Sequence, residues 1–120
     1  MNVVVFANDY EELVNWYKDA FGLEVITKEE GTYTYTELGS DSQVIVGITP
    51  ASEVEHTASS PRNNSVVMQV AVSDITTLFK SMKKMNGKIL FGPSSDEKYT
   101  FKYGVIADIE GNQIWVIESQ

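Results

Sequence analysis

Asp9-Tyr10-Glu11-Glu12-Leu13-Val14-Asn15-Trp16-Tyr17-Lys18-Asp19-Ala20-Phe21-Gly22 reads as one capped helix, and the chain writes that helix twice. Asp9 carries a carboxylate suited to the free N–H groups of a first helical turn, and Glu12 stands at capping-box spacing from it. From Tyr10 onward, Leu13, Val14, Tyr17, Ala20 and Phe21 recur at helical intervals. Gly22 sits where a helix end takes a left-handed residue. A shift of 65 residues lays Asp9 on Asp74, Leu13 on Leu78, Val14 on Phe79, Tyr17 on Met82, Ala20 on Met85 and Gly22 on Gly87. Cap, apolar stripe and terminating glycine coincide, so the unit is duplicated.

Strands flank each copy. Residues 2–7 are apolar and β-branched and predict a buried strand before the first helix. Leu23–Thr27, Thr32–Thr36 with its threonine/tyrosine alternation, and Gln43–Ile48 follow it, with turns at Gly31 and Gly39–Ser42. In the second copy, Val66–Val72 precedes a helix carrying Ile75, Leu78, Phe79, Met82 and Met85 on one face. Lys80, Lys83 and Lys84 lie toward its C-terminal end, where the helix dipole favours cations, and Gly87 ends it. Lys88–Phe91 reads as a short strand, Gly92–Asp96 as a loop, Tyr99–Ala107 as a strand and Asp108–Gly111 as a turn. The last strand, Gly111–Glu118, alternates so that Ile114 and Val116 face one way and Trp115 the other. The final strands of the two copies align at a shift of 70, with Gln43-Val44-Ile45-Val46 on Gln113-Ile114-Trp115-Val116. The prediction is an α+β chain of two βαβββ modules, residues 1–49 and 65–120, forming a single domain. Residues 50–64 are polar, contain two prolines and lack periodicity, which predicts a linker or loop. Two long copies make a duplicated domain, not a solenoid.

The bulk composition narrows function. With 120 residues the chain is one domain by length, and 42% hydrophobic with 22% charged residues is an ordinary globular balance. There is no cysteine, which excludes disulfides and thiolate metal sites. The net charge of −8 argues against nucleic acid or an anionic membrane as partner and permits a cationic ligand. Acidity also serves solubility, the plainer role. The N-terminal stretch lacks the basic flank of a signal peptide, and no apolar run reaches membrane-spanning length, so a cytoplasmic protein is expected.

Trp16-Tyr17 before Phe21-Gly22-Leu23, and Asp108-Ile109-Glu110-Gly111-Asn112 before the last strand, in this order over two βαβββ units, resemble the vicinal oxygen chelate superfamily. That group includes glyoxalase I, extradiol dioxygenases and bleomycin-resistance proteins. Ile109 and Glu110 stand where the family pattern has Pro-Asp, a departure that touches a turn. The resemblance implies a mixed sheet curled into a cleft, with helices outside. Metal-dependent members take one ligand from the first and last strand of each module. Carried over, those positions are Asn2 and Val67, then Ile45 (or Gly47, two residues along on the same face) and Trp115. A divalent cation needs carboxylate, imidazole or thiolate donors, and Asn2 alone offers even a weak amide oxygen. Neither a metal nor another cofactor is therefore expected.

Strand alternation then assigns the cleft face to Val4, Phe6, Gln43, Ile45, Val67, Gln69, Ala71, Gln113, Trp115 and Ile117. The expected ligand-binding residues are Trp115, Phe6, Tyr33, Tyr35, Gln69, Gln113, Tyr103 and Ile45, with Phe101 a further candidate beside Tyr103. Rings supply contact area and amides supply orientation, as small-molecule sites usually require. Each residue also has a plainer reading: Trp115 as packing, the tyrosines as good strand formers, the glutamines as a mutually bonded pair. His56, the only histidine, falls in the 50–64 loop beside Glu53 and Glu55 and is more simply solvated than catalytic. No nucleophile triad or phosphate loop is present, and catalytic residues stay unassigned.

Beside a structural or interaction role with the pocket collapsed around Trp115, two functions remain. One is a metal-free small-molecule binding protein with an aromatic-lined cleft for a planar or cationic ligand. The other is a lyase, isomerase or dioxygenase of the same superfamily with displaced metal ligands, possible only if the 50–64 loop or a partner chain rebuilds a site. The resemblance also implies a homodimer, for which Trp16, Tyr10 and Phe21 are candidate contact residues that core packing explains equally well.

Overall fold

A computed structural model describes residues 3–31, 34–54, 67–96 and 101–119. It divides into two compact units, Met1–Asn63 and Asn64–Gln120. In the first, β1 (Val4–Ala7), α1 (Tyr10–Phe21), β2 (Glu24–Glu30), β3 (Thr34–Ser40) and β4 (Gln43–Pro50) succeed one another. In the second, β5 (Met68–Ala71), α2 (Ile75–Ser81), β6 (Lys88–Asp96), β7 (Phe101–Ala107) and β8 (Gln113–Ser119) repeat the order. Each unit has one four-stranded mixed sheet, ordered β1-β4-β3-β2 and β5-β8-β7-β6. The outer strand pairs β1/β4 and β5/β8 are parallel, and the others are antiparallel. This is the α+β, twice-βαβββ architecture that the repeat announces.

Both caps form as the sequence indicates. The carboxylates of Asp9 and Asp74 accept from the N–H groups of Glu12 (3.2 Å) and Thr77 (3.1 Å). Gly22 takes the left-handed conformation at φ 63° that closes α1. The second copy departs here. α2 stops at Ser81, short of the expected Met85, and Asn86 at φ 59°, not Gly87, takes the left-handed turn. Ser81 Oγ bonds back to the Leu78 carbonyl, a contact that competes with helix continuation.

Each helix packs on one face of its sheet, and period-two alternation sorts the strands accordingly. Val5, Ala7, Leu38, Val46 and Ile48 lie under α1, while Val70, Ile106, Ile114 and Val116 lie under α2, all buried. Trp16 is buried in α1, edge-on to Tyr17 (5.2 Å) and Phe21 (6.2 Å), so it belongs to packing and offers no exposed contact surface. Glu118, the last inward residue of β8, accepts from the N–H of Ile75 at 2.7 Å and so ties the final strand to the start of α2.

Several strand boundaries differ from expectation; β2, for one, runs to Glu30 and not Thr27. β3 runs to Ser40, and the hairpin closes on Asp41 and Ser42 at φ 53° and 64°, the doubly positive pattern of a tight two-residue turn. β4 reaches Pro50, and Ala51–Val54 form a 3₁₀ turn in which Glu53 accepts from the Thr34 N–H at 2.6 Å. The beginning of the expected linker is therefore anchored, while His56 lies outside the described residues. β6 continues through Gly92-Pro93-Ser94-Ser95 with two register shifts. As an edge strand it tolerates a proline without N–H, which is why a loop-like sequence stays paired.

Candidate functional site

The site positions lie on the far face of each sheet, opposite its helix. In the second unit one cross-strand row runs Gln69–Trp115–Val105–Phe91 over β5, β8, β7 and β6. Trp115 is half-buried, and its indole stacks on the Tyr103 ring at 5.2 Å with 24° between planes. Tyr103 in turn meets Phe101 (5.5 Å) and Phe91 (5.7 Å) at tilted angles. Beside this platform, Val67, Gln69, Val105, Gln113 and Trp115 bound a hollow of about 350 Å³. The second sheet thus gathers Trp115, Tyr103, Gln69 and Gln113 on one surface. Both glutamines are exposed there, beside the apolar Val67, Val105 and Trp115. Phe91 escapes a sequence reading because the strand carrying it is irregular and looks finished at that residue.

The turn that launches β8 is held by Asp108. This buried carboxylate accepts from the N–H groups of Glu110 and Asn112 and from Asn112 Nδ2, each at 2.9 Å. Three donors on one short side chain make the Asp108–Asn112 segment a turn fastener, and they fix where the alternation of Trp115 begins.

In the first unit the equivalent row is Val4–Gly47–Glu37–Thr27 over β1, β4, β3 and β2. The parallel registers, Val4 with Gly47 and Gln69 with Trp115, make Gly47 the counterpart of Trp115, a shift of 68. This corrects the shift of 70 that had put Ile45 there. The identical Gln-start of the two strands misleads, since β4 follows a two-residue turn and β8 a longer one. Ile45 remains on the far face, half-buried, as does Phe6. Tyr35 lies across β4 at Gly47: a Cβ on Gly47 would fall 2.7 Å from the Tyr35 ring. The Tyr35 hydroxyl donates to Glu37 Oε2 at 3.0 Å. Burial, then that bond to Glu37, raises the Tyr35 phenol above its ordinary 10.0. Tyr33 and Asn2 lie outside the described residues.

A further hollow, about 590 Å³, lies on the helix side of the first unit between α1 and β2/β3, lined by Tyr10, Glu11, Lys18, Lys28, Glu30 and Thr36 among others. Among the described residues, none of those expected to bind ligand lines it.

Valine at 67, glycine at 47 (or isoleucine at 45) and tryptophan at 115 offer no donor to a divalent cation, so these positions do not fit the metal that the fold can carry elsewhere. Among the described residues, no three or more His, Cys, Asp or Glu side chains gather as a metal-binding group, and no helix is long and apolar enough to cross a membrane.

Comparison with solved structures returns the same architecture. A glyoxalase/bleomycin resistance protein/dioxygenase family enzyme from Burkholderia phytofirmans PsJN superposes with a TM-score of 0.77 at 17% identity, covering 99% of this chain and 97% of that one. The hypothetical protein SA1046 from S. aureus gives 0.76 at 15% identity, covering 98% and 92%. A V278E glyoxalase I mutant from Zea mays gives 0.73 at 19% identity, covering 98% of this chain but 44% of the maize chain. At such identities the likeness shows the fold alone. The search of curated proteins finds no match. The family model described as Glyoxalase/Bleomycin resistance protein/Dioxygenase superfamily matches residues 2–116, nearly the whole sequence, and the chain belongs to that superfamily.

Proposed function

We propose that this chain is a metal-free small-molecule binding protein of the superfamily, taking a planar or cationic ligand on an aromatic surface. The observation that carries the reading is the Trp115–Tyr103 stack at 5.2 Å, half-buried beside a hollow that two exposed glutamine amides flank. A ring pair already held parallel presents a flat apolar surface at little further conformational cost, and the amides of Gln69 and Gln113 can orient polar edges of what stacks there. On the first unit, taken by itself, the same reading assigns ligand contact to Phe6, Ile45, Tyr35 and Tyr33. The protein works without a cofactor, in the cytoplasm, as a homodimer. Neither nucleic acid nor membrane is a partner, in keeping with its charge.

The test is a tryptophan-fluorescence titration of the purified protein with planar aromatic compounds, coupled to metal analysis of chelator-free material. Saturable quenching that Trp115→Ala weakens about ten-fold, with Trp16 left as internal reference, is the expected result. Absence of saturable quenching across the panel would sink the binding reading. Stoichiometric zinc, nickel, iron or manganese would favour a lyase, isomerase or dioxygenase with displaced ligands instead.

A further inference from the structure

The far face of the first sheet carries a carboxylate that the fold does not use. Glu37 sits in β3 directly across from Gly47, and its only hydrogen-bonding partner among the described residues is the Tyr35 hydroxyl, which engages Oε2. No lysine or arginine occupies any far-face position of β1 to β4, and no described ion pair involves Glu37. The residue is half-buried beside a half-buried ring, and Gly47, lacking a Cβ, is what lets that ring lie flat against β4. Its counterpart in the second sheet, by the shift of 68, is the apolar Val105. A surface partner would be expected for a carboxylate placed mainly for stability. Here the tyrosine holds it in one orientation with its other oxygen available.

We infer that Glu37, oriented by Tyr35, is a recognition group for an organic cation, an aromatic amine or quaternary ammonium. This deepens the binding-protein reading and rests on it, giving the far face of the first sheet its own charge discrimination. A fixed carboxylate pairs with the positive centre, and the adjacent phenol ring offers its negative face to the same charge. Desolvating a half-buried carboxylate is offset only when the ligand brings a compensating charge, so a neutral compound of the same shape gains nothing from Glu37.

The experiment compares two flat probes at pH 8, N-methylacridinium (cationic) and acridine (neutral), by amide NMR titration of the full chain. The wild type is set against Glu37→Gln, with Glu29→Gln as control. Glu29 is an exposed residue on the same face, opposite Tyr35 across the β2/β3 pair. Expected is a preference of roughly ten-fold for the cation, with amide shifts over Tyr35–Gly47, falling to near parity in Glu37→Gln while acridine affinity stays unchanged. Retention of the preference in Glu37→Gln, or an equal loss in Glu29→Gln, overturns the inference and leaves the binding reading standing. Binding of neither probe at millimolar concentration removes both. Unchanged dispersion of the amide spectrum shows that the variant is folded.

Discussion

Gly104 shows how much a single side chain, or the lack of one, decides. It faces α2 from β7, and a Cβ there would fall 2.5 Å from the Phe79 ring and 2.7 Å from the Phe91 carbonyl oxygen. The ring is buried and the carbonyl belongs to the neighbouring strand, so neither can swing away cheaply. Gly104→Ala should therefore lower stability by about 1–3 kcal/mol, read as a lower urea midpoint at unchanged slope. The far-face residues obey a different logic. Trp115, Tyr103, Gln69 and Gln113 were all readable from alternation, because which side a strand residue faces depends only on its neighbours in sequence. Glu37 obeys the same rule but lies one residue past Thr36, where the threonine/tyrosine alternation stops. Following the alternation of Thr34, Thr36 and Leu38 inward puts Tyr35 and Glu37 together outward.

At the level of elements, the two helix caps are the most local features and the best determined. Asp74 accepts from the hydroxyl and the N–H of Thr77, and these bonds, the hydroxyl's first, lower its pKa from the usual 3.8, with Lys102 adding to the effect. A carboxyl whose folded pKa is depressed stabilises the fold fully above its unfolded value and loses that contribution as pH falls through the folded one. Asp74→Ala should thus unfold at lower urea than wild type at neutral pH, with the gap starting to narrow as the pH drops below about 4, where the unfolded carboxyl protonates, and closing further as it falls through the lower folded pKa. Asp74→Asn, which can still accept from Thr77, should keep most of the cap and lose the pH dependence. Strand ends were less readable. The Gly92-Pro93 pair looks like a loop, yet β6 passes through it, since an edge strand needs hydrogen bonds on one side only.

Over the whole molecule, apolar residues remain exposed at sheet edges: Val3 and Val4 at β1, and Ile89, Leu90 and Phe91 in succession on β6. Such a run on an edge strand is a surface that association would cover. Sedimentation of the full chain should return twice 13.4 kDa, and a monomer at all concentrations would remove the homodimer from the proposal. The net charge of −8 says nothing of fold, but it suits the cationic partner proposed for Glu37. What the amino-acid order determined alone is the duplicated βαβββ plan, the two caps, the helix-facing side of β1, β4, β5 and β8 and the absence of metal donors at 47, 67 and 115. These follow from periods of two and 3.6 residues and from side-chain chemistry, which need no knowledge of distant partners. Only the tertiary structure decided that Gly47 pairs in role with Trp115, that Phe91 reaches Tyr103, that Glu118 caps α2 and that Glu37 lies beside Tyr35 over Gly47. Register depends on turn length and bulges summed over a sheet, and one misplaced pair of residues moves every cross-strand neighbour without changing which face it shows.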